Sequence, residues 1–234
     1  PQIAFYEQYG TAGLAAFWET IRYAKLHNLV VITDAKRGDI DSTAQAYANA
    51  FLGTTNLFGQ ETPCFDSDWL TVNPFLGEDS LIPFIDACKK HNKGIFILAK
   101  TSNPGSADIQ DQKIGDTTIT TIVSELIANH AAATIGPDGY SSIGAVVGAT
   151  FPEEAKTIRK QLPHSLFLVP GMGAQGGDFS GLRHFFNSDK LGALINSSRE
   201  IVFSKRAEDN GDYLQTIKEQ TTTTNKAINR ELGL

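Results

Sequence analysis

Residues 30–43, VVITDAKRGDIDST, bring two carboxylates and an ammonium to the end of an apolar run: Asp34, Lys36 and Asp39, with Arg37 and Asp41 close by. An acid–lysine–acid set can do one of two things. It can be an ion-pair network that only holds a loop, since opposite charges keep one another ionised even when half-buried. Or it can present an ammonium to a substrate, stabilise negative charge that develops at carbon, and supply a proton there. Residues two apart on a strand share a face, so Asp34 and Lys36 point the same way. Gly38 then lets the backbone turn sharply before Asp39. Three fixed positions in six are a weak signal alone, and the surrounding elements must decide.

Those elements alternate. Short β-branched or apolar runs recur at 29–34, 69–74, 94–100, 143–149, 165–171 and 191–198. They lack period-2 alternation, which suits strands buried on both faces of a parallel sheet. Between them, helical patterns are expected at 11–27, at 41–52 capped by Asp41, Ser42 or Thr43, and at 77–93, 116–134, 151–162, 178–189 and 212–232. The first carries Leu14, Phe17, Trp18, Ile21 and Leu26 on one side. The 77–93 and 151–162 segments place acids early, agreeing with the helix dipole. Two loops, 54–68 and 102–116, are long enough to be functional.

The pattern is βα repeated, with no linker or composition break, so residues 1–234 are read as a single α/β domain. Polar or Gly-rich loops follow nearly every strand, including Lys100-Thr101-Ser102-Asn103, Gly171 to Gly177 and Asn196 to Arg199. Chemistry spread over the C-terminal ends of successive strands fits a (β/α)8 TIM barrel better than a doubly wound sheet with one switch point. A ring of this kind needs eight strands. The opening PQIAFYEQYG reads as the exit of an earlier strand, so two strands and a helix are expected to precede Pro1. The chain also opens without Met, as an excised or processed piece does.

Two further signals fall after the last two strands, where such barrels hold phosphate. VPGMGAQGGD (169–178) is a Gly-rich loop whose N–H groups can approach an anion. NSSRE (196–200) places Arg199 just past the last strand, and Arg suits bidentate phosphate contact.

Composition excludes several classes. Of the residues, 41% are hydrophobic and 20% charged, ordinary for a globular protein, and the net charge of −6 argues against a nucleic-acid partner. No apolar run approaches a membrane span, and the N-terminus lacks the basic and apolar regions of a signal peptide. Cys64 and Cys88 form no metal or redox motif, and His27, His91, His130, His164 and His184 lack ligand spacing. Two reduced cytoplasmic thiols and no metal site are the expectation.

The segments DAKRGDIDST, TVNPFLGEDSL, AKTSNPGS, VPGMGAQGG and NSSREIVF, in this order, together resemble orotidine 5′-phosphate decarboxylases, and AFYEQYG (4–10) matches the segment after that family's second strand. The resemblance spans almost the whole chain. It implies conversion of orotidine monophosphate to uridine monophosphate and CO₂ in pyrimidine biosynthesis, without metal or organic cofactor. Lys36 would be the general acid at C6 of the pyrimidine. Asp34 would hold and aim it and crowd the substrate carboxylate. Asp39 and Thr43 would reach the partner's site in a homodimer, and Ile40 would line the pocket that receives CO₂. Ser102 would contact the pyrimidine, Gln175 and Arg199 the phosphate, and the 171–177 loop would close over it.

Some residues depart from the family pattern. Asp41 stands where the family commonly has Gly, and Glu200 stands where a small residue is usual; Glu200 is expected to face outward. The family's second-strand Lys would fall just before Pro1, so residues 1–234 alone are expected to be nearly inactive. Two rival readings are Mg²⁺-dependent sugar-phosphate chemistry on a related barrel and a degenerate, non-catalytic barrel.

Overall fold

The computed structural model describes residues 1–172, 179–203 and 212–234. Their packing divides into two compact units, each built from separated stretches: Pro1–Leu98 with Leu126–Ala145, and Ala99–Glu125 with Val146–Leu234.

The first unit runs α1 (Ala4–Glu7), α2 (Gly10–Leu26), β1 (Ile32–Arg37), α3 (Asp41–Phe51), the hairpin β2 (Thr55–Leu57) and β3 (Gln60–Thr62), β4 (Trp69–Val72), α4 (Ile82–His91) and the start of β5 (Gly94–Lys100). β1 pairs in parallel with β4, and β4 with β5. Gln2 forms a parallel bridge with Asp34, so Pro1–Ile3 line the other side of β1. Gly94 is required by a close approach: a Cβ there would meet the Trp69 ring at 2.4 Å. The Trp69 indole stacks instead on Phe96, with centroids 4.6 Å apart. Phe17 of α2 is fully buried, edge-on to Tyr6 and Phe65.

The second unit holds the end of β5, a 3₁₀ turn (Pro104–Asp108), the hairpin β6 (Lys113–Ile114) and β7 (Thr117–Thr118), α6 (Pro152–Gln161), β9 (Ser165–Val169), a 3₁₀ turn (Leu182–Phe185), β10 (Ala193–Ile195), α7 (Arg199–Val202) and α8 (Tyr213–Leu232). α5 (Ile119–Ala132) and β8 (Ser141–Val147), like β5, have residues in both units. Asp212 caps α8, its carboxylate accepting from the Gln215 N–H at 3.0 Å. The six longer strands form one sheet in the order β1-β4-β5-β8-β9-β10. That order follows the chain without reversal, so there is no switch point of the doubly wound kind.

The structure corrects several expectations. The first strand begins at Ile32 rather than Leu29 and carries the charged residues through Arg37, while Leu29 and Val30 stay exposed. α3 starts at Asp41, with Ile40 at the cap position and no side-chain cap. Leu14, Trp18 and Leu26 of α2 are exposed; only Phe17 and Ile21 of the expected stripe are buried. Trp18 sits at the surface because its indole N–H donates to the Cys64 carbonyl at 2.9 Å. The helix expected from 116 begins at Ile119, because Gly115 (φ +63°) turns residues 113–118 into a hairpin. Among the described residues of 178–189 only the 3₁₀ turn forms, entered through left-handed Gly181. The 54–68 loop contains a short hairpin, and the 102–116 loop runs into a second.

Candidate active site

In the first unit, the C-terminal end of β1 is irregular. Thr33 pairs with Leu70, but the next register pair is Arg37 with Val72, so Asp34, Ala35 and Lys36 bulge opposite Thr71 alone. Lys36 is left-handed, with φ +49°. Such bulges re-aim side chains and recur beside active sites. Here the result is a close pair: Lys36 Nζ donates to Asp34 Oδ1 at 2.6 Å. Both side chains are about half-exposed. An ion pair at that exposure contributes about 0–1 kcal/mol to stability, so its importance is geometric.

Thr71 completes this end of the strand. Its hydroxyl donates to the same Asp34 oxygen at 2.9 Å and accepts the Ala35 and Lys36 N–H groups at 3.0 and 2.9 Å. Thr71 is buried. Sequence reading missed it, because one Thr in the apolar run WLTVNP carries no visible signal. The reason for Gly38 also differs from expectation. Its φ is not in the left-handed region; a Cβ there would meet the Asn73 carbonyl oxygen at 3.0 Å. The left-handed positions are Lys36 and Asp41, the latter with φ +46°. Left-handed backbone is disfavoured for residues with a Cβ, but Asp tolerates it better than most. That accounts for an Asp standing where the family commonly has Gly.

Asp39 accepts from the Ile40 N–H at 2.8 Å and makes no ion pair among the described residues. The structure therefore brings Asp34 and Lys36 together within this unit but not Asp39 with them. Ile40 is 49% exposed, and Thr43 is exposed on the first turn of α3.

In the second unit, Ser102 follows β5 and is half-buried. Its carbonyl accepts from Thr150 Oγ1 at 3.1 Å. The Gly148 N–H donates to the Lys100 carbonyl at 2.8 Å. The Gln110 side chain clasps Thr101, accepting from its N–H at 2.9 Å and donating to its hydroxyl at 2.8 Å. Just upstream, Lys100 is fully buried, forms ion pairs with Asp111 and Glu154, and lies 4.4 Å from the Phe151 ring centroid. This buried cation was also missed; nothing in KTSNPGS distinguishes it from an exposed lysine. Arg199 begins α7 and is exposed, as is Glu200. Gln175 lies outside the described residues.

Cys64 and Cys88 are free, and burial pushes the Cys88 thiol up to about 12. His130 Nε2 meets Glu78 Oε1 at 2.9 Å. Among the described residues no helix is long and apolar enough to cross a membrane.

In comparisons with known proteins, the profile of the orotidine 5′-phosphate decarboxylase / HUMPS family matches residues 1–212. The chain is 43% identical over 232 residues to an orotidine 5′-phosphate decarboxylase of Caldicellulosiruptor bescii, covering 99% of this chain and 76% of that one. Against the Rhodopirellula baltica decarboxylase identity is 47% over 209 residues, 89% of this chain and 68% of the relative. Among solved structures, the OMP decarboxylase of Leishmania donovani superposes with a TM-score of 0.73 at 34% identity, over 97% of this chain and 80% of that one. An uninterrupted βα strand order, an acid–lysine pair at a bulged strand end and matches at these identities over nearly the whole chain agree: this protein belongs to the orotidine 5′-phosphate decarboxylase / HUMPS family.

Proposed function

We propose that this protein decarboxylates orotidine 5′-monophosphate to uridine 5′-monophosphate in pyrimidine biosynthesis, with Lys36 as the general acid and without metal or organic cofactor. The observation that carries the reading is the Asp34–Lys36 pair at 2.6 Å, in a chain whose relatives bear the decarboxylase name. In the reaction the bond from C6 to the carboxylate breaks, its electron pair stays on C6, and CO₂ leaves. An ammonium beside C6 stabilises that carbanion and then transfers a proton to it; Lys36 is reprotonated from solvent. Asp34 holds and aims Lys36 through their 2.6 Å contact and crowds the substrate carboxylate.

The remaining roles follow the family pattern. Ser102 contacts the pyrimidine, and Gln175 and Arg199 hold the phosphate. Binding energy from that remote group is then available to the reacting centre. Asp39, Ile40 and Thr43 serve a site shared across a homodimer. Support comes from the exposure of Ile40 and Thr43 and from the lack of an ion pair at Asp39 among the described residues. The enzyme acts in the cytoplasm.

The test follows the ultraviolet absorbance change of orotidine monophosphate with the full-length protein in EDTA, beside a Lys36→Ala control. Turnover that persists in EDTA and disappears in the control supports the reading. No turnover from a folded protein overturns it and favours Mg²⁺-dependent sugar-phosphate chemistry.

A further inference from the structure

We propose that Thr71 is the positioning residue that aims the Lys36 ammonium. The argument begins with hydrogen-bond capacity. A threonine hydroxyl has one proton to give and two lone pairs to receive. All three are used at one spot: Oγ1 receives the Ala35 and Lys36 N–H groups and gives its proton to Asp34 Oδ1.

The bulge makes this necessary. From Thr33 to Arg37 the chain advances four residues while β4 advances two, from Leu70 to Val72. The N–H groups of Ala35 and Lys36 are thereby left without a regular ladder partner on β4, and a buried, unmatched N–H is costly. The Thr71 side chain supplies the missing acceptor. It also ties the left-handed turn at Lys36 to the rotamer of Asp34, since Oδ1 receives both Thr71 Oγ1 and Lys36 Nζ. One hydroxyl thus fixes where the lysine leaves the backbone and where its carboxylate partner stands. Nothing else described on β4 could do both. Leu70 and Val72 flank Thr71 and have apolar side chains.

What Lys36 does rests on the decarboxylase reading; that Thr71 fixes its placement does not. The test uses full-length Thr71→Val, which swaps hydroxyl for methyl at nearly constant shape, together with Thr71→Ser and Thr71→Ala. A misplacement near 1 Å at a reacting group can cost about 100-fold. The expected result is a kcat on the order of 100-fold lower in Val and Ala with KM changed by less than about 3-fold. Thr71→Ser recovers most of the rate. An unchanged kcat in Val or Ala overturns the proposal, as does a Ser variant as impaired as Val.

Amide hydrogen exchange separates the two readings, since it needs no turnover. Ala35 and Lys36 are expected to exchange at least tenfold faster in Val or Ala than in wild type. Wild-type exchange rates in whichever of these variants folds overturn the proposal. Lack of turnover by the wild-type protein overturns only the decarboxylase reading.

Discussion

Gly148 lies against the backbone of Ser102 so closely that a Cβ built on it would meet the Ser102 amide nitrogen and Cα at 2.7 Å. Glycine here is a spacing element that lets the loop after β5 and the end of β8 touch, main chain to main chain.

Gly148→Ala must therefore push Ser102 away. Overpacking of this kind costs about 1–3 kcal/mol. The larger expected effect is on turnover of orotidine monophosphate, with kcat/KM lower by on the order of 100-fold. Steady-state kinetics beside a denaturant melt checks it. A variant that is destabilised yet fully active would remove Ser102 from the site.

Lys100 gives a prediction about coupling. Its ammonium is fully buried, while Asp111 and Glu154 are each partly exposed. Either carboxylate can return to water if the other is lost, but the lysine cannot. Asp111→Asn or Glu154→Gln alone should cost about 1 kcal/mol, the loss of one charge-assisted bond from a group that keeps another. Removing both should cost about 3–5 kcal/mol, because an uncompensated buried charge remains. A double-mutant cycle by chemical denaturation measures the excess, and simple additivity would contradict the account.

The acid limb of stability should depend on Asp66. Burial alone would raise its carboxyl, but hydrogen bonds from Lys25 and Lys93 outweigh burial and hold it below its ordinary 3.8. A depressed carboxylate stabilises the fold above its unfolded value and loses that contribution as pH falls through the lower folded value. Asp66→Asn should thus unfold more readily at neutral pH and show a flatter decline below about pH 4. Lys25 acts at the other end. Burial would lower it, but its bonds to Asp66 and Asp68 raise it above 10.5, so its contribution persists to pH 10.5 and fades above. Unfolding free energies measured from pH 2 to 11 test both limbs.

The two thiols should separate by reactivity. Cys88 is buried and its thiol sits near 12, while Cys64 is exposed and is also raised by burial. Thiolate is the reactive form. At pH 8 a disulfide reagent should titrate one thiol slowly in the native protein and two in denaturant. Labelling of Cys88 without unfolding would contradict its placement.

Much of this was legible beforehand because it rests on local signals. Asp34 and Lys36 share a strand end, and the βα order came from apolar runs separated by helical spacing. Where reading failed, the cause was a contact or a turn that spacing does not encode. The bulge at 34–36 depends on Thr71, 35 residues away from Lys36 in sequence. The late start of α5 depends on Gly115 at φ +63°, a hairpin turn inside what reads as a helix. The exposure of Trp18 depends on the Cys64 carbonyl. The role of Gly38 depends on Asn73 beside it rather than on its own freedom to turn. Lys100 was invisible for the same reason, since burial of a lysine is a property of its neighbours.

The division of the chain has a consequence for biosynthesis. The first unit takes in Leu126–Ala145, yet the second begins at Ala99. As the polypeptide leaves the ribosome, Pro1–Leu98 emerges before Leu126–Ala145, a segment made almost 30 residues later. Domains whose sequence is contiguous can fold one after another during translation. Here each unit draws on separated stretches, so a nascent chain stalled between Leu98 and Ala145 holds the first unit without all of its later segment, and its exposure to association lasts as long as those residues take to be made.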